Sequence, residues 1–190
     1  MSSRKDPKLT LSEAFDRAVD ALNEAGASYA LIGGFAVAHH GLPRPTRDID
    51  FLVSIPRVQL PAVLERFRER GFAFELERVL GELGKDHLSS IRYGGVRVDL
   101  LEAVIPAFRR ALKSAVEGTI HGRKVKIASA EDLIVLKIIA SREDDLRDVR
   151  GILATQGSRL NLEAIRGSLS ECCGSAAIDG FERLASEAGL

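Results

Sequence analysis

The chain has 190 residues, 45% of them hydrophobic, and balances 27 lysines and arginines against 27 aspartates and glutamates. That length allows one good core with a small helical appendage, and zero net charge argues against a protein that coats nucleic acid through its overall field, leaving room for local basic patches. Its longest apolar runs, such as Leu133-Ile134-Val135-Leu136, fall far short of the ~20 residues a membrane span needs.

The opening Met1-Ser2-Ser3-Arg4-Lys5-Asp6-Pro7 has no apolar region behind its charges, the pattern of a cytoplasmic chain without a leader. Leu11, Ala14, Phe15, Ala18, Leu22 and Ala25 recur at three- and four-residue steps and predict an amphipathic helix, capped by Thr10 or Ser12 and ended by Gly26. Residues 28–32 read as a buried strand, broken by Gly33-Gly34, and 35–40 as a short helix stopped by Gly41. Two prolines one residue apart, Pro43 and Pro45, make 42–47 a loop, which delivers the chain into a strand at 48–53.

A helix between Pro56 and Gly71 follows, then strands at 73–76, 87–93 and 96–101, the last two joined in a tight hairpin at Gly94-Gly95. A helix at 105–115 precedes a second hairpin, 118–120 with 124–127, turning at His121-Gly122-Arg123. Beyond 128 the pattern is helical: 129–141 with a capping signature Ser129-Ala130-Glu131-Asp132, then 143–155, 160–169 and 178–188. The expectation is an α/β (α+β) core with a small mixed sheet over 1–128 and a C-terminal helical subdomain over 129–190. The cysteines, Cys172 and Cys173, are neighbours that rarely bridge and read as two small helix residues.

Chemistry concentrates at Asp48-Ile49-Asp50. Residues two apart in a strand share a face, so both carboxylates converge while Ile49 and Phe51 enter the core. Two close carboxylates raise each other's pKa unless a cation sits between them, and a hard divalent ion arriving with substrate phosphates is the usual answer. A glycine pair at a strand-to-helix turn lets backbone amides approach phosphate, at the positive end of the helix dipole. Asp99, on a strand beside Arg97, is either a third metal ligand and proton acceptor or a solvated edge carboxylate.

Leu31-Ile32-Gly33-Gly34, thirteen residues, then Asp48-Ile49-Asp50-Phe51-Leu52-Val53, with Arg44 and Thr46 between, resembles the DNA polymerase beta-like nucleotidyltransferase superfamily. Within it the stretch is similar to the small branch that includes the AbiEii-type toxins, and antibiotic nucleotidyltransferases share its plan. The similarity extends through Val98-Asp99-Leu100 to Lys137, Arg142, Asp145 and Asp148. It implies a Mg²⁺-dependent enzyme in which Asp48, Asp50 and Asp99 hold metal and carry catalysis, Gly33 and Gly34 form the phosphate turn, and Lys137 faces the phosphates. Arg44, Thr46 and Arg47 lie on the intervening loop, placed to touch phosphate or base. Members with Gly-Ser at the turn offer a hydroxyl; Gly34 offers only its amide.

Other charged residues have plainer readings. Arg142 to Arg150 form a mixed-sign run typical of a salt-bridged, solvated helix face, with Asp145 and Asp148 able instead to position Lys137 or Arg142. Lys137 interrupts an apolar run and either snorkels to water or reaches a phosphate. His39 and His40 read as helix-end residues favourable to the dipole. The expected activity is transfer of a nucleoside monophosphate from an NTP to a hydroxyl of tRNA, a protein or a small molecule, in a toxin with a cognate antitoxin. The alternatives are an inactive nucleotide- or protein-binding member of the same fold, and an antibiotic-modifying enzyme whose acidic pocket draws on Glu102, Glu131 and Asp132.

Overall fold

The computed structural model describes residues 7–41 and 43–190, and the side chains from residue 11 onward; Leu42 of the proline loop and the charged N-terminus lie outside the described residues. Helix α1 (Pro7–Glu24) leads into β1 (Ser28–Ile32), α2 (Gly33–His40), β2 (Asp48–Ser54) and α3 (Leu60–Glu69). Next come α4 (Leu76–Lys85), the hairpin β3 (Leu88–Tyr93) and β4 (Val96–Glu102), α5 (Pro106–Lys113), and the hairpin β5 (Val116–Ile120) and β6 (Arg123–Ile127). Helices α6 (Ala130–Ala140), α7 (Glu143–Gln156), α8 (Leu162–Cys172) and α9 (Ser175–Glu187) complete the chain.

The six strands form one mixed sheet in the order β3-β4-β2-β1-β6-β5, parallel at β2–β4 and β1–β6 and antiparallel elsewhere. The fold is thus the expected α/β core with flanking helices. On one face Ile49, Phe51 and Val53 join Val98 and Leu100 in the main apolar core, which continues into α6 to α9 through Leu133, Ile152, Leu169 and Phe181. On the other face Ala30 and Leu52 pack with Ala103 and Ala111 of the α5 region. That second face also carries Asp48 and Asp50, so strand alternation sends neighbouring side chains to the main apolar core and to the opposite, cleft-bearing side. Fully burying a side chain such as Phe51 stabilises the fold by about 1.5–3 kcal/mol.

Three element expectations need correction. Helix α1 begins at Pro7, so Thr10 and Ser12 lie within it instead of capping its start. Residues 73–76 form no strand, only a single bridge between Ala73 and Arg92, and α4 starts at Leu76. The helical step is present in Leu76, Val79, Leu80 and Leu83, but Gly81 and Gly84 interrupt it; both stand in open space, so the backbone does not require glycine there. The helix expected at 178 begins at Ser175. Elsewhere the signals hold: Ser129 Oγ accepts from the Asp132 amide at 3.1 Å, and Tyr93 pairs Val96 across the Gly94-Gly95 turn. Cys172 ends α8 and both thiols are free. Among the described residues, no helix is long and apolar enough to cross a membrane.

Candidate active site

Register builds the site. Parallel pairing sets Asp48 beside Arg97 and Asp50 beside Asp99, while antiparallel pairing sets Ile32, the last residue of β1, beside Asp50. Three carboxylates and one guanidinium therefore share a patch of sheet at the mouth of the glycine turn. Arg97 Nη2 donates to Asp48 Oδ2 at 2.9 Å and lies 3.3 Å from Asp99 Oδ2. Ser90 Oγ, from the facing strand, donates to Asp99 Oδ1 at 2.6 Å. Burial, then the neighbouring charge of Asp99 and, less, of Asp48, push the Asp50 carboxyl above the usual range, with Lys137 pulling the other way.

The glycines serve a purpose that spacing alone did not reveal. A β-carbon on Gly33, where φ is +64°, would lie 1.9 Å from Asp50 Oδ2, and one on Gly34 would lie 2.6 Å from Thr46 Oγ1. Both positions must lack a side chain for Asp50 and Thr46 to stand where they do. Thr46 Oγ1 donates to the Asp48 carbonyl at 3.0 Å, so it braces the entry to β2.

The opposite wall comes from α6 and α7. Lys137 Nζ donates to Asp145 Oδ1 at 2.7 Å and sits 2.9 Å from Asp148 Oδ2, with all three residues buried. Arg142 Nε donates to Asp145 Oδ2 at 2.6 Å, and Arg44 Nε meets Asp148 Oδ1 at 2.8 Å. Asp145 and Asp148 are therefore no part of a solvated face. Burial alone would raise the Asp145 carboxyl, but hydrogen bonds from Arg142 and Lys137 outweigh it and hold it below the usual range. Lys137 neither snorkels to bulk water nor points freely at the cleft; two carboxylates grip it.

These residues enclose a cleft of ≈ 650 Å³, lined by Gly33, Gly34, Arg44, Thr46, Arg47, Asp48, Asp50, Arg97, Asp99, Lys137, Arg142 and apolar Leu88, Leu101 and Phe108, among others. Of the two motifs and the loop between them, Gly33, Gly34, Arg44, Thr46, Arg47, Asp48 and Asp50 all line this space. Arg97, two residues before Asp99 on β4 and so on the same face, is the participant to which the sequence assigns no role; the pairing of β4 with β2 brings it to Asp48 as well.

Several other readings change. His40 is no dipole cation; its Nε2 hydrogen-bonds the Ala128 carbonyl at 2.7 Å, and burial holds the imidazole below its ordinary value. The acids suggested for a cationic acceptor are engaged within the protein: Glu102 by Arg57 and His87, Asp132 by Arg110 and Ser114, and Glu131 by the Asn161 amide.

Whether the site suits a divalent cation can be judged on its donors. They are all oxygens, and a guanidinium already stands between Asp48 and Asp99 as a cation would. Among the described residues no three His, Cys, Asp or Glu side chains are gathered as a ready-made metal site. The donor set nevertheless fits a hard cation that takes few protein ligands and completes its shell from substrate phosphates.

A mixed sheet whose central strand opens on two acids beside a glycine turn, with a third acid on the parallel neighbour, has the plan of a nucleotidyltransferase. Solved structures share the fold: ANT(2'')-Ia in complex with adenylyl-2''-tobramycin (19% identity, TM-score 0.62, covering 85% of this chain and 98% of that one); JHP933 from Helicobacter pylori (18%, 0.53, 89% and 75%); and the lincosamide antibiotic adenylyltransferase LnuA, lincomycin-bound (15%, 0.52, 74% and 94%). No curated protein sequence matches. The family model described as "Nucleotidyl transferase AbiEii toxin, Type IV TA system" matches residues 17–171, and the chain belongs to that family. It is a nucleotidyltransferase.

Proposed function

We propose that the protein transfers a nucleoside monophosphate from an NTP to a hydroxyl acceptor. The hydroxyl oxygen bonds to the α-phosphorus, the bond from that phosphorus to the pyrophosphate oxygen breaks, and pyrophosphate leaves. The reading is carried by the register that sets Asp50 beside Asp99 and Asp48 one step away on the same face. Asp48, Asp50 and Asp99 would hold Mg²⁺, which when bound supplies charge neutralisation at the phosphates and aligns the reacting oxygens.

The remaining work falls to side chains of this chain. Asp99 accepts the acceptor's proton; Ser90 fixes one of its oxygens and so aims the other. The turn at Gly33-Gly34 receives the triphosphate on backbone amides. Arg47, exposed on the cleft rim, and Arg44, anchored by Asp148, neutralise charge as it develops. Lys137, paired with Asp145 and Asp148, adds its field to the same cleft.

The acceptor is tRNA, a protein or a small molecule, and membership of a type IV toxin family supports a cognate antitoxin as partner. Incubation with each labelled NTP and Mg²⁺, against tRNA, total protein and small-molecule acceptors, names the acceptor class by where label appears. Asp48→Asn and Asp50→Asn should abolish transfer and leave the fold intact; full turnover in both variants would contradict the assignment.

A further inference from the structure

Arg97 occupies an unusual position for a strand arginine. Its Nη2 is shared between Asp48 Oδ2 and Asp99 Oδ2, at 2.9 and 3.3 Å, while its Nε is buried with no hydrogen-bond partner. Guanidinium binds best when paired nitrogens meet paired oxygens, and a buried donor without an acceptor is costly. Across the β3–β4 pair its register partner is Arg92, a like charge that offers it no compensation. The arginine thus compensates the acids without being satisfied itself.

We propose that Arg97 is a displaceable internal counter-ion: it holds Asp48 and Asp99 before substrate binds and yields them when a divalent cation enters with a nucleoside triphosphate, its guanidinium then turning to the polyphosphate. The proposal rests on the reading of Asp48, Asp50 and Asp99 as the metal-holding acids. A cation arriving alone must displace a positive group that has nowhere better to go. When it arrives with a polyphosphate, the released guanidinium finds oxygens for Nε as well as Nη2. Cation and nucleotide then strengthen each other's binding, as linkage requires. Arg97 is in this sense a positioning residue, keeping two acids from driving each other apart before substrate is present.

The test measures Mn²⁺ binding to the whole protein from the electron paramagnetic resonance signal of free Mn²⁺, with and without an NTP analogue carrying a methylene between the α- and β-phosphorus. Without nucleotide, Arg97→Gln should bind Mn²⁺ about fivefold tighter or more than the unaltered protein. With the analogue, the unaltered protein should gain more than the variant does. Arg97→Lys, which keeps the charge but cannot span both carboxylates, should fall between them and decides the matter if Arg97→Gln does not fold. Binding that is lost in Asp50→Asn yet equal or weaker in both Arg97 variants overturns the counter-ion role and leaves the metal reading standing. Absence of Mn²⁺ binding in every variant, with and without the analogue, overturns both.

Discussion

Gly33 and Asp50 compete for one volume: a methyl group on the glycine would meet the carboxyl carbon at 2.5 Å and its oxygen closer still. The turn's φ of +64° adds a second reason, since side-chain-bearing residues rarely adopt it. Gly33→Ala should therefore displace Asp50, cost about 1–3 kcal/mol of stability and lower transfer by about 100-fold or more. Parallel thermal melts and label-transfer assays check it; an alanine variant with ordinary turnover would show that Asp50 needs no such room.

Burying Asp50 near Asp99 and Asp48 disfavours its charge, and asparagine keeps the shape without the charge. Asp50→Asn should raise the melting temperature of the ligand-free protein by about 2–5 °C while removing activity. Asp48→Asn should gain less, because Asp48 is 39% exposed and already paired with Arg97. A fall in melting temperature for Asp50→Asn would mean its charge is compensated by something the sheet geometry does not show.

Lys137 neutralises two buried carboxylates at once. Lys137→Met should destabilise by about 3–5 kcal/mol, since it strands Asp145 and Asp148 as unpaired charges, although Arg142 and Arg44 soften the loss. Lys137→Met combined with Asp148→Asn should recover part of it. Urea unfolding of the two single variants and the double variant measures the coupling; strict additivity would deny it.

Two groups give stability an acid-side dependence in separate windows. The Asp145 carboxyl is held below its ordinary value, so its contribution is complete above about pH 4 and drains away as pH falls through the lower folded value. The His40 imidazole is also held down, so its contribution is complete above about pH 6.5 and drains away as pH falls below that. Melting temperatures should decline first for His40 and later for Asp145. His40→Gln should flatten the first decline, and Asp145→Asn the second. Unchanged slopes in the variants would remove these groups as the cause.

Periodicity and spacing were enough for most elements and for which motif residues would gather at one cleft. Asp48-Ile49-Asp50 could be read because strand alternation is local, and the glycine pair because turns need glycine locally. The helix at Leu76–Lys85 was hidden by Gly81 and Gly84, whose unfavourable propensity masks a sound apolar stripe. For Asp145 and Asp148 the sequence leaves two readings open, a solvated face or a hold on Lys137 and Arg142, because alternating signs say nothing of which side chains α6 and α7 bury between them.

Local order along the chain by itself determined where acids alternate with core residues, where glycine breaks a strand, and therefore what kind of chemistry the protein carries. Only the tertiary structure decided that Gly33 makes room for Asp50, that Arg97 lies between Asp48 and Asp99, and that Lys137 is gripped by two carboxylates. The physical reason is distance along the chain. Those pairings join strands and helices tens of residues apart, and the packing of the apolar faces sets which charges finally meet.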